Sequence, residues 1–318
     1  MNFDQKQGSF LEDEFSDELN GGSFPPDVVA ERYQIPRQLQ KLYETGLEVE
    51  REAAKQAGAL GFMARAMVQA TMPHKKVDTN EFIRQNGDFT LTMLAPSRLG
   101  LPYGSIPRLV LGFLTTEAVR FKQREIVLGD SMSRFMAELD LAPTGGRWGT
   151  IPRLRDQMTR LFGCSISCSY TADHAFELEN VNIAERASLW WTPQKPEQAA
   201  LWESTVTLSD RFFREITENP IPIDFRALKA LKRSPMALDV YLWITYRMSY
   251  VSRPTAIPWT ALQLQFGADY PATAQGRRDF KKSFVKALSK VAVVYPEARL
   301  DTTPYELLLK PSRLHVAR

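Results

Sequence analysis

Arg278, Lys282, Lys286 and Lys290 recur at intervals of four residues, flanked by Arg277 and Lys281, and Asp279 is the sole acid between Arg277 and Lys290. At about 100° per residue this spacing lines one side of a helix with cations, while Phe280, Phe284, Ala287, Leu288 and Val291 fall nearly opposite. One face suits phosphate and the other a core. An arginine at the N-terminal end of such a helix also has the donor geometry to read guanine O6 and N7 in a major groove. An ordinary amphipathic helix shows the same solvated lysine face, so the place of the helix in the fold decides between the two.

Bond-making chemistry finds less support. The only histidines, His74, His174 and His315, are far apart, so no His-x-His metal pair exists of the kind that DNA-nicking enzymes use. Two carboxylate pairs, Glu138 with Asp140 and Glu177 with Glu179, are the candidates for metal-assisted polymerisation. The second pair alternates with Phe176 and Leu178, which reads as the polar, solvated side of a half-buried strand. No G-x-x-x-x-G-K-[ST] phosphate loop is present. Cys164, Cys168 and His174 lack zinc-finger spacing and a fourth ligand, and read as buried thiols on one strand face. Trp190 and Trp191 beside Pro193 read as residues that close a core. We therefore expect no enzyme, no metal and no cofactor.

Composition sets the wider frame. The chain has 318 residues, a net charge of +3, 24% charged and 44% hydrophobic residues, as soluble globular proteins do. That net charge hides an asymmetry. Residues 1–30 hold seven acids (Asp4, Glu12, Asp13, Glu14, Asp17, Glu18 and Asp27) against Lys6, a net of −6, which leaves +9 on the remainder. Such a body suits a polyanionic partner. Two cysteines make no disulfide scaffold, the first residues form no apolar signal, and no apolar run reaches a membrane span, so a cytoplasmic location is expected.

The elements that position the cationic stripe follow from periodicity and turn chemistry. Arg37 to about Thr71 is helical in period, and Asp88–Leu94 alternates like a strand. Ser105 is expected to cap a helix from Ile106 to Lys122, Arg124–Gly129 to form a short strand, and Asp130 or Ser131 to cap a helix through Leu139. Thr150 is expected to cap a helix to Phe162, followed by β-rich stretches at Cys164–Tyr170 and Ala175–Trp191. The order repeats about 130 residues later. Ser234-Pro235 opens a helix to Tyr250, Thr255–Ile257 is extended, Thr260 caps a short helix to Gly267, the basic helix runs from Gly276 to Lys290, and Ala298–Pro311 folds back as a hairpin. This is the element order of a winged helix, twice. The expectation is an α+β chain: a flexible acidic tail (1–35), a helical N-terminal segment (36–86), and tandem winged-helix domains (87–205 and 206–318). The third helix of the first domain is less basic, with Arg153, Arg155 and Arg160 on it and Arg147 just before it. Lys310 and Arg313 follow the second basic helix as candidate wing contacts.

Several long motifs carry a resemblance. Leu101-Pro-Tyr-Gly-Ser-Ile-Pro-Arg-Leu-Val-Leu111, Leu114-Thr-Thr-Glu-Ala-Val-Arg120 and Arg124-Glu-Ile-Val-Leu-Gly129 belong to it. So do Thr144-Gly-Gly-Arg-Trp-Gly-Thr-Ile-Pro-Arg-Leu154, Leu189-Trp-Trp-Thr-Pro193, Leu201-Trp-Glu-Ser204 and Lys232-Arg-Ser-Pro-Met-Ala-Leu-Asp-Val240. Together they are similar to the plasmid-encoded RepA family of replication initiators. The resemblance implies binding to iterons, the direct repeats of a plasmid origin, in double-stranded DNA, opening of an AT-rich region, and recruitment of the host helicase with host initiator or chaperone proteins. It also implies a monomer–dimer equilibrium that controls plasmid copy number, and it brings no catalytic residues. A winged-helix transcriptional repressor without initiator activity is the competing expectation.

Overall fold

The structure is a computed structural model that describes residues 37–172, 175–190 and 204–316. The acidic segment 1–35, His174, Trp191 and Pro193 lie outside the described residues. The architecture is α+β. The chain begins with α1 (Arg37–Arg51), β1 (Leu60–Met63), α2 (Arg65–Gln69), β2 (Glu81–Asn86) and β3 (Phe89–Leu94). Next come α3 (Ser105–Phe121), β4 (Glu125–Val127), α4 (Met132–Glu138), α5 (Thr150–Gly163), β5 (Ser165–Ala172), β6 (Ala175–Asn180), β7 (Ala184–Ser188) and β8 (Thr205–Leu208). The remainder is α6 (Asp210–Glu218), β9 (Ile221–Asp224), α7 (Phe225–Ala230), α8 (Pro235–Met248), β10 (Thr255–Pro258), α9 (Trp259–Phe266), α10 (Ala274–Val294), β11 (Leu300–Thr302) and β12 (Glu306–Leu309).

Local signals placed the helix starts unevenly. The Ser131 hydroxyl accepts from Arg134 N–H at 3.3 Å and the Ser234 hydroxyl from Ala237 N–H at 3.3 Å, as N-caps do. Three expected caps fail. Ser105, Thr150 and Thr260 already lie inside their helices, whose cap positions are held by Gly104, Gly149 and Pro258 with no side-chain cap. Thr260 therefore caps nothing, and Thr150 spends its hydroxyl on the preceding turn.

Sheet pairing departs further from expectation. The hairpin β5–β6 was expected as the wing of the first unit. Instead β5 pairs antiparallel with β3, giving a four-stranded sheet in the order β2-β3-β5-β6. The strand that returns to β4 is β8, with β7 on its far side, in the order β4-β8-β7. The second unit closes as expected, with β10-β12-β11 in one antiparallel sheet. In register, Leu178 and Phe176 stand beside Ser169 and Thr171. Both are exposed, Phe176 at 67%. The supposed core side of β6 is thus in solvent, while Glu177 and Glu179 on its other side are exposed as expected, because β6 is the edge strand of the sheet.

The segment 36–86 is helical only in part, since β1 and β2 belong to it. β1 pairs antiparallel with β9, Leu60 opposite Asp224 and Met63 opposite Ile221, which ties the segment into the second half. Arg226 braces the end of α1, its guanidinium donating to Glu52 O at 2.7 Å just past the helix and to Glu48 O at 3.2 Å.

One core runs through both units. In the second, Phe284 of α10 meets Phe266, Phe280, Trp259 and Trp243 with ring centroids 5.4, 5.7, 5.9 and 6.4 Å away. Between the units lies a buried ion network. Arg108 of α3 donates twice to Asp239 of α8, each bond 2.6 Å, and the His74 ring lies 2.7 Å from the same carboxylate. The rest of the Arg108 fork donates to Gly104 O at 2.6 Å and Met72 O at 2.7 Å.

Candidate nucleic-acid interface

α10 begins where Thr273 accepts from Gly276 N–H at 3.1 Å. Only glycine fits at 276, since a Cβ there would fall 2.0 Å from the Pro271 carbonyl oxygen. From that anchor Phe280, Phe284, Ala287, Leu288, Val291 and Val294 turn into the core. The helix extends beyond the expected Gly276–Lys290 at both ends, because the apolar stripe continues to Val294 and the cap sits at Thr273.

The opposite side presents Arg277, Arg278, Lys282 and Lys286, all exposed. Arg278 is braced by Gln275, whose Oε1 accepts two guanidinium N–H groups at 2.7 and 3.2 Å while its amide donates to Asp279 at 2.8 Å. Gln275 was not singled out from the sequence, although its i, i+3 and i, i+4 spacing to Arg278 and Asp279 was the available signal. Lys281 and Lys290 stand differently. The Lys281 ammonium donates to the Thr303 carbonyl at 2.8 Å, lies 5.1 Å from the Trp259 ring centroid, and has its pKa lowered by burial. It links α10 to the β11–β12 turn. Lys290 is half-buried, and burial followed by the charge of Lys286 lowers its pKa. In the hairpin, Lys310 pairs with Asp301 and Arg313 is exposed.

On the first unit, Arg153 and Arg155 of α5 are exposed. Arg160 is drawn inward, its Nε 2.8 Å from Asp156 and its guanidinium 5.6 Å from the Tyr103 ring centroid. Arg147 is exposed in the turn before α5, over the ring of Trp148. The structure thus gathers four outward cations on α10 and a sparser set on α5, and turns Lys281 and Arg160 to internal contacts.

Other candidates disperse. Asp140 pairs with Lys41 and Lys232, and Glu179 with Arg211. Cys164 and Cys168 are buried, and burial pushes both thiols up to about 12. Trp190, read as core, is 56% exposed. Among the described residues, no group of three His, Cys, Asp or Glu side chains comes together, and no helix is long and apolar enough to cross a membrane.

Comparison with known proteins gives three findings. No curated protein matches the chain significantly. Two crystal structures of RctB align with it at 10% identity: domains 2–3 (RctB 155–483), with TM-score 0.45 over 77% of this chain and 96% of that one, and selenomethionine derivatives of domain 2 and domain 3, with TM-score 0.49 over 78% and 96%. The family described as plasmid encoded RepA protein matches residues 101–259, half of the 318-residue chain and the stretch from the α3 entrance to Trp259. The chain belongs to the plasmid encoded RepA protein family.

Proposed function

We propose that this protein is a plasmid replication initiator that binds repeated origin sequences, iterons, in double-stranded DNA. In this reading α3–β4–α4–α5 with β7–β8, and α8–β10–α9–α10 with β11–β12, are winged-helix modules, and α10 is the principal reading helix. The outward stripe Arg277, Arg278, Lys282 and Lys286, backed by a fully apolar inner face, carries the proposal. Third-helix position and exposed cations are what a major-groove helix needs. α5, with Arg153 and Arg155 outward, supplies phosphate positioning rather than the main readout. Opening of the origin, recruitment of the host helicase, a monomer–dimer equilibrium and a cytoplasmic location belong to the same proposal. The protein acts by binding and cuts no strand.

A plasmid carrying only the origin tests it. Such a plasmid should replicate when the protein is supplied in trans, and failure despite specific binding would leave the repressor reading. For the stripe, Lys282→Gln should lower the slope of log K against log salt by about 0.9, as loss of one phosphate contact does. Lys281→Gln should leave the slope unchanged, since its ammonium is committed to Thr303. Equal slopes for Lys282→Gln and the parent chain would remove α10 from the interface.

A further inference from the structure

Residues 144–150 close into a rigid turn at the entrance to α5. Thr144 and Thr150 bind each other reciprocally, each backbone N–H donating to the other's hydroxyl oxygen at 2.9 Å. The Thr150 hydroxyl donates to Ala142 O at 2.5 Å, and Gly149 N–H donates to Gly146 O at 3.1 Å. A Cβ on Gly149 would fall 2.1 Å from the Thr144 carbonyl oxygen, so the backbone is held against itself there. Arg147 and Trp148 are the two central residues of this turn.

The Trp148 indole is 80% exposed, with the Arg147 guanidinium 5.1 Å from its ring centroid. A large apolar ring is therefore held out at an apex instead of being folded onto a neighbour. In the second unit the aromatic of the corresponding turn lies down, Tyr270 packing on Phe280 at 5.7 Å between centroids. Nearby acids are already engaged, Asp140 by Lys41 and Lys232 and Asp156 by Arg160. Arg147, Arg153 and Arg155 remain outward. A cation-flanked ring with an open face matches the stacking platforms on which unpaired bases are held. Duplex DNA offers free base faces only at ends and kinks, and the outward cations suited to its phosphates are denser on α10.

We propose that Trp148, flanked by Arg147, is a base-stacking site for an unpaired DNA strand, so that the two halves of the molecule divide single-strand and duplex binding between them. The proposal rests on the nucleic-acid reading of the chain. It is tested on the full chain with two probes, a 30-nucleotide oligo(dT) and a duplex of the origin repeat. Trp148→Ala should weaken oligo(dT) binding roughly 5- to 150-fold, the span that stacking energies imply. Trp148→Phe should keep most of it, and both variants should hold the duplex within about twofold of the parent, with unchanged unfolding midpoints because the ring packs on no core. A parent chain that does not bind oligo(dT) overturns the proposal. So does Trp148→Ala binding oligo(dT) as the parent does, or losing duplex and oligo(dT) equally. Failure of the parent to bind the duplex, with oligo(dT) binding intact and sensitive to Trp148, would strike the iteron reading instead.

Discussion

Asp239→Ala destabilises the protein by about 3–5 kcal/mol, because it strands the Arg108 guanidinium in the core between the two units. Both side chains are almost wholly buried, so solvent screens little of this loss. Urea denaturation measures it. The paired replacement Arg108→Met with Asp239→Leu should restore much of the stability, since an apolar pair leaves no unmatched charge. If Asp239→Ala is nearly neutral, the network does not hold the units together. The same titration carries a pH signature. Burial alone would raise the Asp239 pKa, yet the charge of Arg108 and the hydrogen bonds from His74 and Arg108 outweigh it and hold the carboxyl below its ordinary range. For His74 burial dominates over the pull of Asp239, and Arg108 and Arg84 add to it, so its pKa falls below 6.5. A lowered histidine pKa means the unfolded chain takes the proton first, so stability declines as pH drops below about 6.5. The carboxylate contribution is present above the ordinary carboxyl pKa and disappears in stronger acid, as pH falls through the lowered value. Both slopes have the same sign. A parent chain whose stability is flat between pH 7 and pH 5.5 would contradict the first.

Phe284→Ala is the second large effect, about 3–5 kcal/mol, from the transfer term and the cavity left among Phe266, Phe280, Trp259 and Trp243. The ring is fully buried and its four aromatic neighbours come from three helices, so no single side chain can collapse into the gap. Loss of this support also loosens α10 against α8 and α9. Duplex binding should weaken with stability although Phe284 lies on the inner face, and added osmolyte that restores folding should restore binding. Calorimetry with a binding titration at matched folded fraction separates the two. If binding stays weak once the protein is folded, Phe284 does more than hold the helix in place.

Helices α5 and α10 were legible because a 3.6-residue apolar period is a property of one segment and its neighbours three and four residues away, while α3 and α8, buried on nearly every side, were legible from the Ser and Pro at their starts. Phe280, Phe284, Leu288 and Val291, and likewise Leu154, Met158 and Leu161, are buried as that period requires. Ser131 and Ser234 were legible as caps for the same local reason. The β11–β12 hairpin was too, since its two strands lie only a few residues apart.

What the chain could not disclose by itself involves long separations or a choice between equivalent faces. Arg108 and Asp239 are 131 residues apart, and neither polar residue on its apolar helix signals the other. Alternation along β6 marks two faces without saying whether either is covered. The answer depends on β5 joining β3 rather than closing a wing, which left Phe176 and Leu178 outside. Lys281 and Lys282 differ by one position in a run of cations. Only the turn at Thr303, carried back by β11 and β12, decides that the first is tied down and the second left outward. The cationic stripe, the apolar face beneath it and the twofold element order were therefore determined by the sequence alone. Which cations stay outward, which aromatics stand in solvent and how the halves are locked together were decided by tertiary structure, because burial and pairing belong to surfaces that meet only when the chain has folded.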